Sequence, residues 1–131
     1  MNDLDARLKD VNEAGSYRLN CPLGKLLEAV TRTEFMLLEA DLATVHNKEN
    51  FLQTVAQAVH APIGFGDNWD ALADVLGDLS WHPASGYVLL LRNGGENFGL
   101  HASDLAIASE VLADTVNFWR SQGKPFWVFR C

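Results

Sequence analysis

Gly86-Tyr87-Val88-Leu89-Leu90-Leu91-Arg92 is an apolar run closed by a glycine on one side and a charge on the other. A strand that turns one face to water alternates apolar with polar residues. A run that is apolar throughout suits a strand covered on both faces, as in a parallel sheet with helices above and below it. Upstream, Glu34 to Ala40 reads as another strand, apolar enough to be buried on both faces, and Ser16 to Leu19 as a brief one. Downstream, Gln122 to Pro125 turns the chain into a last strand, Phe126 to Arg130. Helical stretches lie between them. Pro22 suits the first turn of a helix reaching Thr31. Asn47 is placed to cap a helix over Lys48 to His60, in which Phe51, Leu52, Val55 and Val59 recur at helical spacing until Pro62 stops it. Ser103 is placed to cap a long helix through Ser121. Asn93 to Gly99, with three glycines, is expected to be a mobile loop. Strands alternating with helices of this length predict an α/β fold, a small parallel β-sheet with packed helices and right-handed crossovers.

The chain has 131 residues, 48% of them hydrophobic, which fits one domain over 1–131 that buries a core without disulfides or metals. No internal repeat, low-complexity segment or linker interrupts it. Seventeen acidic against ten basic residues give a formal charge of −7. That balance disfavours unassisted binding to nucleic acid or an anionic membrane and points to a basic or neutral partner. Met1 to Gly15 alternates charges with single apolar residues and lacks the apolar core of a secretory signal. Its first fourteen residues are expected to be loose, although Leu4, Leu8 and Val11 can line one face of a short helix. No stretch approaches the roughly 20 apolar residues of a membrane span. A cytoplasmic location follows as the expectation, with Cys21 and Cys131 reduced.

Residues 64 to 79 carry the functional signal: Gly64-Phe-Gly-Asp-Asn-Trp-Asp-Ala-Leu-Ala-Asp-Val-Leu-Gly-Asp-Leu79. A helix starting near Asn68 puts Asp70, Asp74 and Asp78 on one face at i, i+4 and i+8, and Trp69, Leu72, Leu76 and Leu79 on another. Gly77 is expected to break it there or shortly after, ahead of the Trp81-His82-Pro83 turn. Aspartates at i, i+4 repel each other by a few tenths of a kcal/mol, where a lysine or arginine would be attracted. Between Glu49 and Leu91 there is no Lys or Arg. A row of repelling carboxylates without local counter-ions points to cations supplied by a partner. Asp67 or Asn68 can cap the helix, and Phe65 adds an aromatic in the loop beside it.

Other chemistries fit poorly. Gly64-Phe-Gly66 lacks the third glycine of a dinucleotide loop, since Trp69 stands there, and no buried strand leads into it. Asp70 and Asp74, about 6 Å apart along a helix axis, share one solvated face and lack the contrasting environments that separate a catalytic acid from a base. His46, His60, His82 and His101 are scattered, with no metal-ligand spacing, and are expected at the surface or at caps. No Gly-x-Ser-x-Gly elbow is present, and Cys131 is a poor candidate for a held nucleophile. Trp81, Phe118, Trp119, Phe126, Trp127 and Phe129 are assigned to packing. No cofactor or metal is expected.

Phe65-Gly-Asp-Asn-Trp-Asp-Ala-Leu-Ala-Asp74 resembles the signature of the barstar family of intracellular ribonuclease inhibitors, aromatic-Gly-acidic-Asn-x-Asp-Ala-Leu-x-Asp. The element order from residue 34 to 131 is similar too, and residues 1–33 look like the extra strand and helix of longer family members. The resemblance implies a protein without enzyme activity that binds a basic ribonuclease, as a monomer when free. Asp74 would be the principal carboxylate, entering where a substrate phosphate sits, and Asp70 the second. Phe65, Gly66 and Asn68 would touch the catalytic cleft, and Ala73, Asp67 and Asp78 are counted with them in the candidate partner-binding surface, the two aspartates widening it. The chain departs from the family at Gly64, often aromatic there, and at Ala73, often bulky. The family's further acidic group on the last helix has no match at Asn117 or Phe118, and only Asp114 and Glu110 lie nearby. The rival readings are an acidic interaction module of the same fold binding a basic protein that is not a nuclease, and a carboxylate-dependent hydrolase.

Overall fold

The computed structural model of the chain describes residues 3–131; Met1 and Asn2, part of the expected loose segment, lie outside the described residues. The elements run α1 (Asp3–Lys9), β1 (Ser16–Arg18), α2 (Leu23–Thr33), β2 (Met36–Asp41), α3 (Lys48–Ala58), α4 (Trp69–Asp78), β3 (Tyr87–Arg92), α5 (Ala102–Ser121) and β4 (Phe126–Arg130). The four strands are all parallel, in the order β1-β4-β3-β2. The molecule is the α/β architecture that the apolar run at 86–92 implies.

β3 sits inside the sheet and is buried from Tyr87 to Leu91. Successive side chains of a strand point to opposite faces, so one strand feeds two cores. Tyr87, Leu89 and Leu91 join Phe126 and Val128 in the larger core, against Phe51, Leu52 and Val55 of α3, Leu72 and Leu76 of α4, and Leu112, Val116 and Trp119 of α5. Val88 and Leu90 join Trp127 and Phe129 on the other face, under Leu8 of α1 and Leu26, Ala29 and Val30 of α2.

Several expectations are corrected. The N-terminal segment is ordered from Asp3: Leu8 is fully buried, and Trp127 Nε1 donates to its carbonyl at 2.9 Å. Arg120 of α5 reaches the same segment, donating to the carbonyls of Val11 at 3.2 Å and Ala14 at 2.6 Å. The N-terminal layer thus has two helices flanking its strand, and α1 is the short helix that Leu4 and Leu8 allow. Glu34 does not start β2 but caps α2 in the left-handed conformation, φ 61. β2 is an edge strand, with Glu39 and Asp41 exposed, so only part of it is buried on both faces. α4, by contrast, ends where expected, one residue after Gly77, and is capped by a left-handed Leu79. α5 follows an extended His101, and Ser103 is inside the helix. The 93–99 segment is anchored at both ends. Asn93 Nδ2 donates to Asp41 Oδ1 at 3.0 Å, which with the Ala43 amide holds the Asp41 carboxyl below its usual range. Phe98 is buried and stacks on Phe51. A Cβ on Gly99, at φ 77, would collide with the Val45 carbonyl, so this turn requires glycine. No helix among the described residues is long and apolar enough to cross a membrane.

Candidate functional site

Asn68 decides where α4 begins. Its side chain accepts from the Ala71 amide at 2.7 Å, satisfying one of the free N–H groups of the first turn, while its Nδ2 donates to the Gly66 carbonyl at 3.0 Å. Of the two candidate caps it is Asn68 that acts, which leaves the Asp67 carboxylate uncommitted at a left-handed residue, φ 46. Asparagine and aspartate tolerate that conformation better than most side chains. A Cβ on Gly66 would crowd Asn68 Nδ2 at 3.2 Å, and Gly64 is held at φ 98, where side chains are strained.

The apolar side of α4 fixes its orientation. Leu72 and Leu76 are buried, and Trp69, half-buried, tilts against Phe51 with centroids 5.9 Å apart. Trp119 of α5 donates from Nε1 to the Leu76 carbonyl at 2.8 Å, tying α4 to α5 from inside the core. The opposite side carries Asp70, Asp74 and Asp78, all exposed, with exposed Asp67 and Ala73 beside them. None of these four carboxylates has an ion-pair or hydrogen-bond partner among the described residues. By contrast Arg7, Arg18, Arg32, Arg92 and Arg130 are each paired with an acid elsewhere in the molecule. The chain's arginines are spent away from α4.

The two ends of the loop and helix are stapled together. His60 Nδ1 and His82 Nε2 are 2.8 Å apart, and Trp81 Nε1 donates to the Val59 carbonyl at 2.9 Å. Tyr87 OH, whose titration burial pushes up, donates to the His82 carbonyl at 2.7 Å. Residues 61 to 81 thereby form a loop-and-helix unit closed at its base, a pairing that no spacing in the sequence reveals. Two histidines expected to be scattered meet here. Phe65 is only half-exposed and packs on the larger core, so the loop's aromatic supports the turn more than it projects from it. Phe118, assigned to packing, is instead 43% exposed on α5.

Asp74 borders a shallow concavity of about 220 Å³ between the loop and α4, lined also by Pro62, Ile63, Phe65, Ala71 and Val75. Asp70 and Asp74 face water and flank no cleft of the kind that would hold a substrate between an acid and a base. Among the described residues no three His, Cys, Asp or Glu side chains converge to hold a metal ion. The surface is built to present anionic oxygens from a rigid support, which suits recognition of cations arranged about one helical turn apart. Residues 35–131 match the family model described as barstar, barnase inhibitor. The match begins after α2. No curated protein matches the chain in sequence.

Proposed function

The chain belongs to the barstar family, and from that premise we propose that it inhibits a basic ribonuclease by laying the 65–78 surface across the enzyme's active site. The observation that carries this reading is the row of exposed carboxylates, without partners among the described residues, on a helix whose other side is locked into the core. A nuclease holds its substrate's phosphates with arginine and lysine. Asp74 and Asp70 offer the same cations oxygens in place of phosphate, with no scissile bond, so binding is inhibition. Asp67 and Asp78 widen the field that steers a basic partner in. Phe65, Gly66 and Asn68 form the loop edge of the contact, and Ala73 lets the partner approach the helix between the two main carboxylates. The protein acts in the cytoplasm as a monomer, protecting the cell that makes the nuclease, with Cys21 and Cys131 unbridged.

Asp74→Ala tests the reading. Truncating one side of a buried ion pair costs about 2–5 kcal/mol, a general scale drawn in part from complexes of this same family. Inhibition of a basic ribonuclease should weaken by that amount, and the salt dependence of association should fall with it. Binding to basic proteins in general, with no ribonuclease inhibited, would favour the interaction-module reading. Hydrolysis by the purified protein that disappears in Asp70→Asn would favour the hydrolase.

A further inference from the structure

Ile63 has a relative exposure of 107%, while the other exposed large hydrophobics, Tyr17, Phe118 and Ile107, lie between 40% and 46%. Its neighbours in the chain present it: Pro62 fixes its own φ before it, and Gly64 at φ 98 turns the backbone away after it. It lines the concavity beside Asp74, together with Val75, Ala71 and the half-buried Phe65. Gly64 beside it has no side chain, and Ile63 is the most exposed large hydrophobic among the described residues.

We propose that Ile63 is an apolar prong that enters a recess at the rim of the partner's cationic cleft and helps select which ribonuclease is bound. The inference rests on the inhibitor reading above. Charge decides the occupant: a second copy of this chain would bring Asp67, Asp70, Asp74 and Asp78 against their own like, whereas a basic protein pairs with them while it covers Ile63. The carboxylates set the rate and orientation of encounter; the prong, desolvated only after docking, acts on dissociation.

The test compares wild type, Ile63→Ala, Ile63→Val and Asp74→Ala, measuring association and dissociation rates with a panel of basic ribonucleases at low and moderate salt. An exposed side chain contributes little to the free fold, so Ile63→Ala should melt with wild type. It should bind about tenfold to a hundredfold more weakly, through faster dissociation with the salt dependence unchanged, and Ile63→Val should recover most of the loss. If Ile63→Ala binds like wild type while Asp74→Ala does not, the prong is refuted and the inhibitor reading stands. If wild type binds and inhibits no ribonuclease, both fall together. Sedimentation that shows a wild-type dimer converted to monomer by Ile63→Ala would assign the prong to self-association and overturn the proposal.

Discussion

Asp5 on α1 and Asp74 on α4 are treated in opposite ways. Asp5 is buried and receives two hydrogen bonds from Arg32, at 2.7 and 2.9 Å; Asp74 is exposed and receives none among the described residues. The contrast extends to the regions around them. The N-terminal layer uses its charges to fasten its own helices together over the second face of the sheet. The α4 face carries charges that make no ion pair among the described residues, and although the first-turn Asp70 suits the helix dipole, their i, i+4 spacing sets them against one another. Under the proposed function, that cost in the free protein is offset by cations on the partner.

Removing the N-terminal layer should have the largest effect. We take residues 1–131 as one folding unit, because without 1–33 the side chains of Val88, Leu90, Trp127 and Phe129 lose their cover. At about 1.5–3 kcal/mol each, their burial contributes on the order of 6–12 kcal/mol, against a whole-domain stability of about 5–15. The 34–131 fragment should therefore show no cooperative melt and should bind a hydrophobic dye. A cooperative melt would make the N-terminal layer an accessory to an independent unit.

Within that layer the Asp5–Arg32 pair should show itself by pH. The hydrogen bond from Arg32 holds the Asp5 carboxyl below its ordinary range. Its contribution to stability is fully present above the unfolded value of about 3.9 and is lost as pH falls through the lowered native value. The gap in Tm between wild type and Asp5→Asn should stay constant from neutral pH to about 5 and close in more acid solution. A gap that widens on acidification would contradict the pairing.

On the α4 side, Asn68→Ala should cost about 0.5–2 kcal/mol of stability by thermal melting, the range for a lost N-cap. It should weaken nuclease binding as well, because the cap also ties down Gly66 and so sets the loop against the helix. Unchanged binding with lowered stability would separate the loop from the interface.

The acidic face was legible in the sequence because it follows from local rules: helical periodicity, a missing set of cations and an asparagine before an apolar repeat. The parallel sheet was legible because β3 is apolar at every position that a doubly covered strand needs. What stayed hidden joins residues far apart in the chain. Nothing near Arg120 says that it will reach Ala14, and nothing near His60 says that it will meet His82. β2 was misread at its edge because Met36, Leu37 and Leu38 resemble an interior strand, while the exposure of Glu39 and Asp41 depends on its having a neighbour on one side only. Phe118 looked like core because aromatic residues usually are, yet its flank of α5 is left uncovered.

The finest division falls within α4 itself. Asp70 lies in the first turn, where a carboxylate is favoured by the helix dipole; Asp78 lies in the last, where it is disfavoured, one turn from Asp74. Asp78→Lys relieves the repulsion and suits the dipole, so the free protein should gain about 0.5–1.5 kcal/mol, read as a Tm raised by a few degrees. If Asp78 belongs to the interface, the same substitution puts a cation before a basic partner and should slow association, most at low salt. Stability gained and association lost would show that the charge is kept for the partner. Stability gained with association unchanged would end the binding surface at Asp74 and leave Asp78 a defect that the fold simply carries.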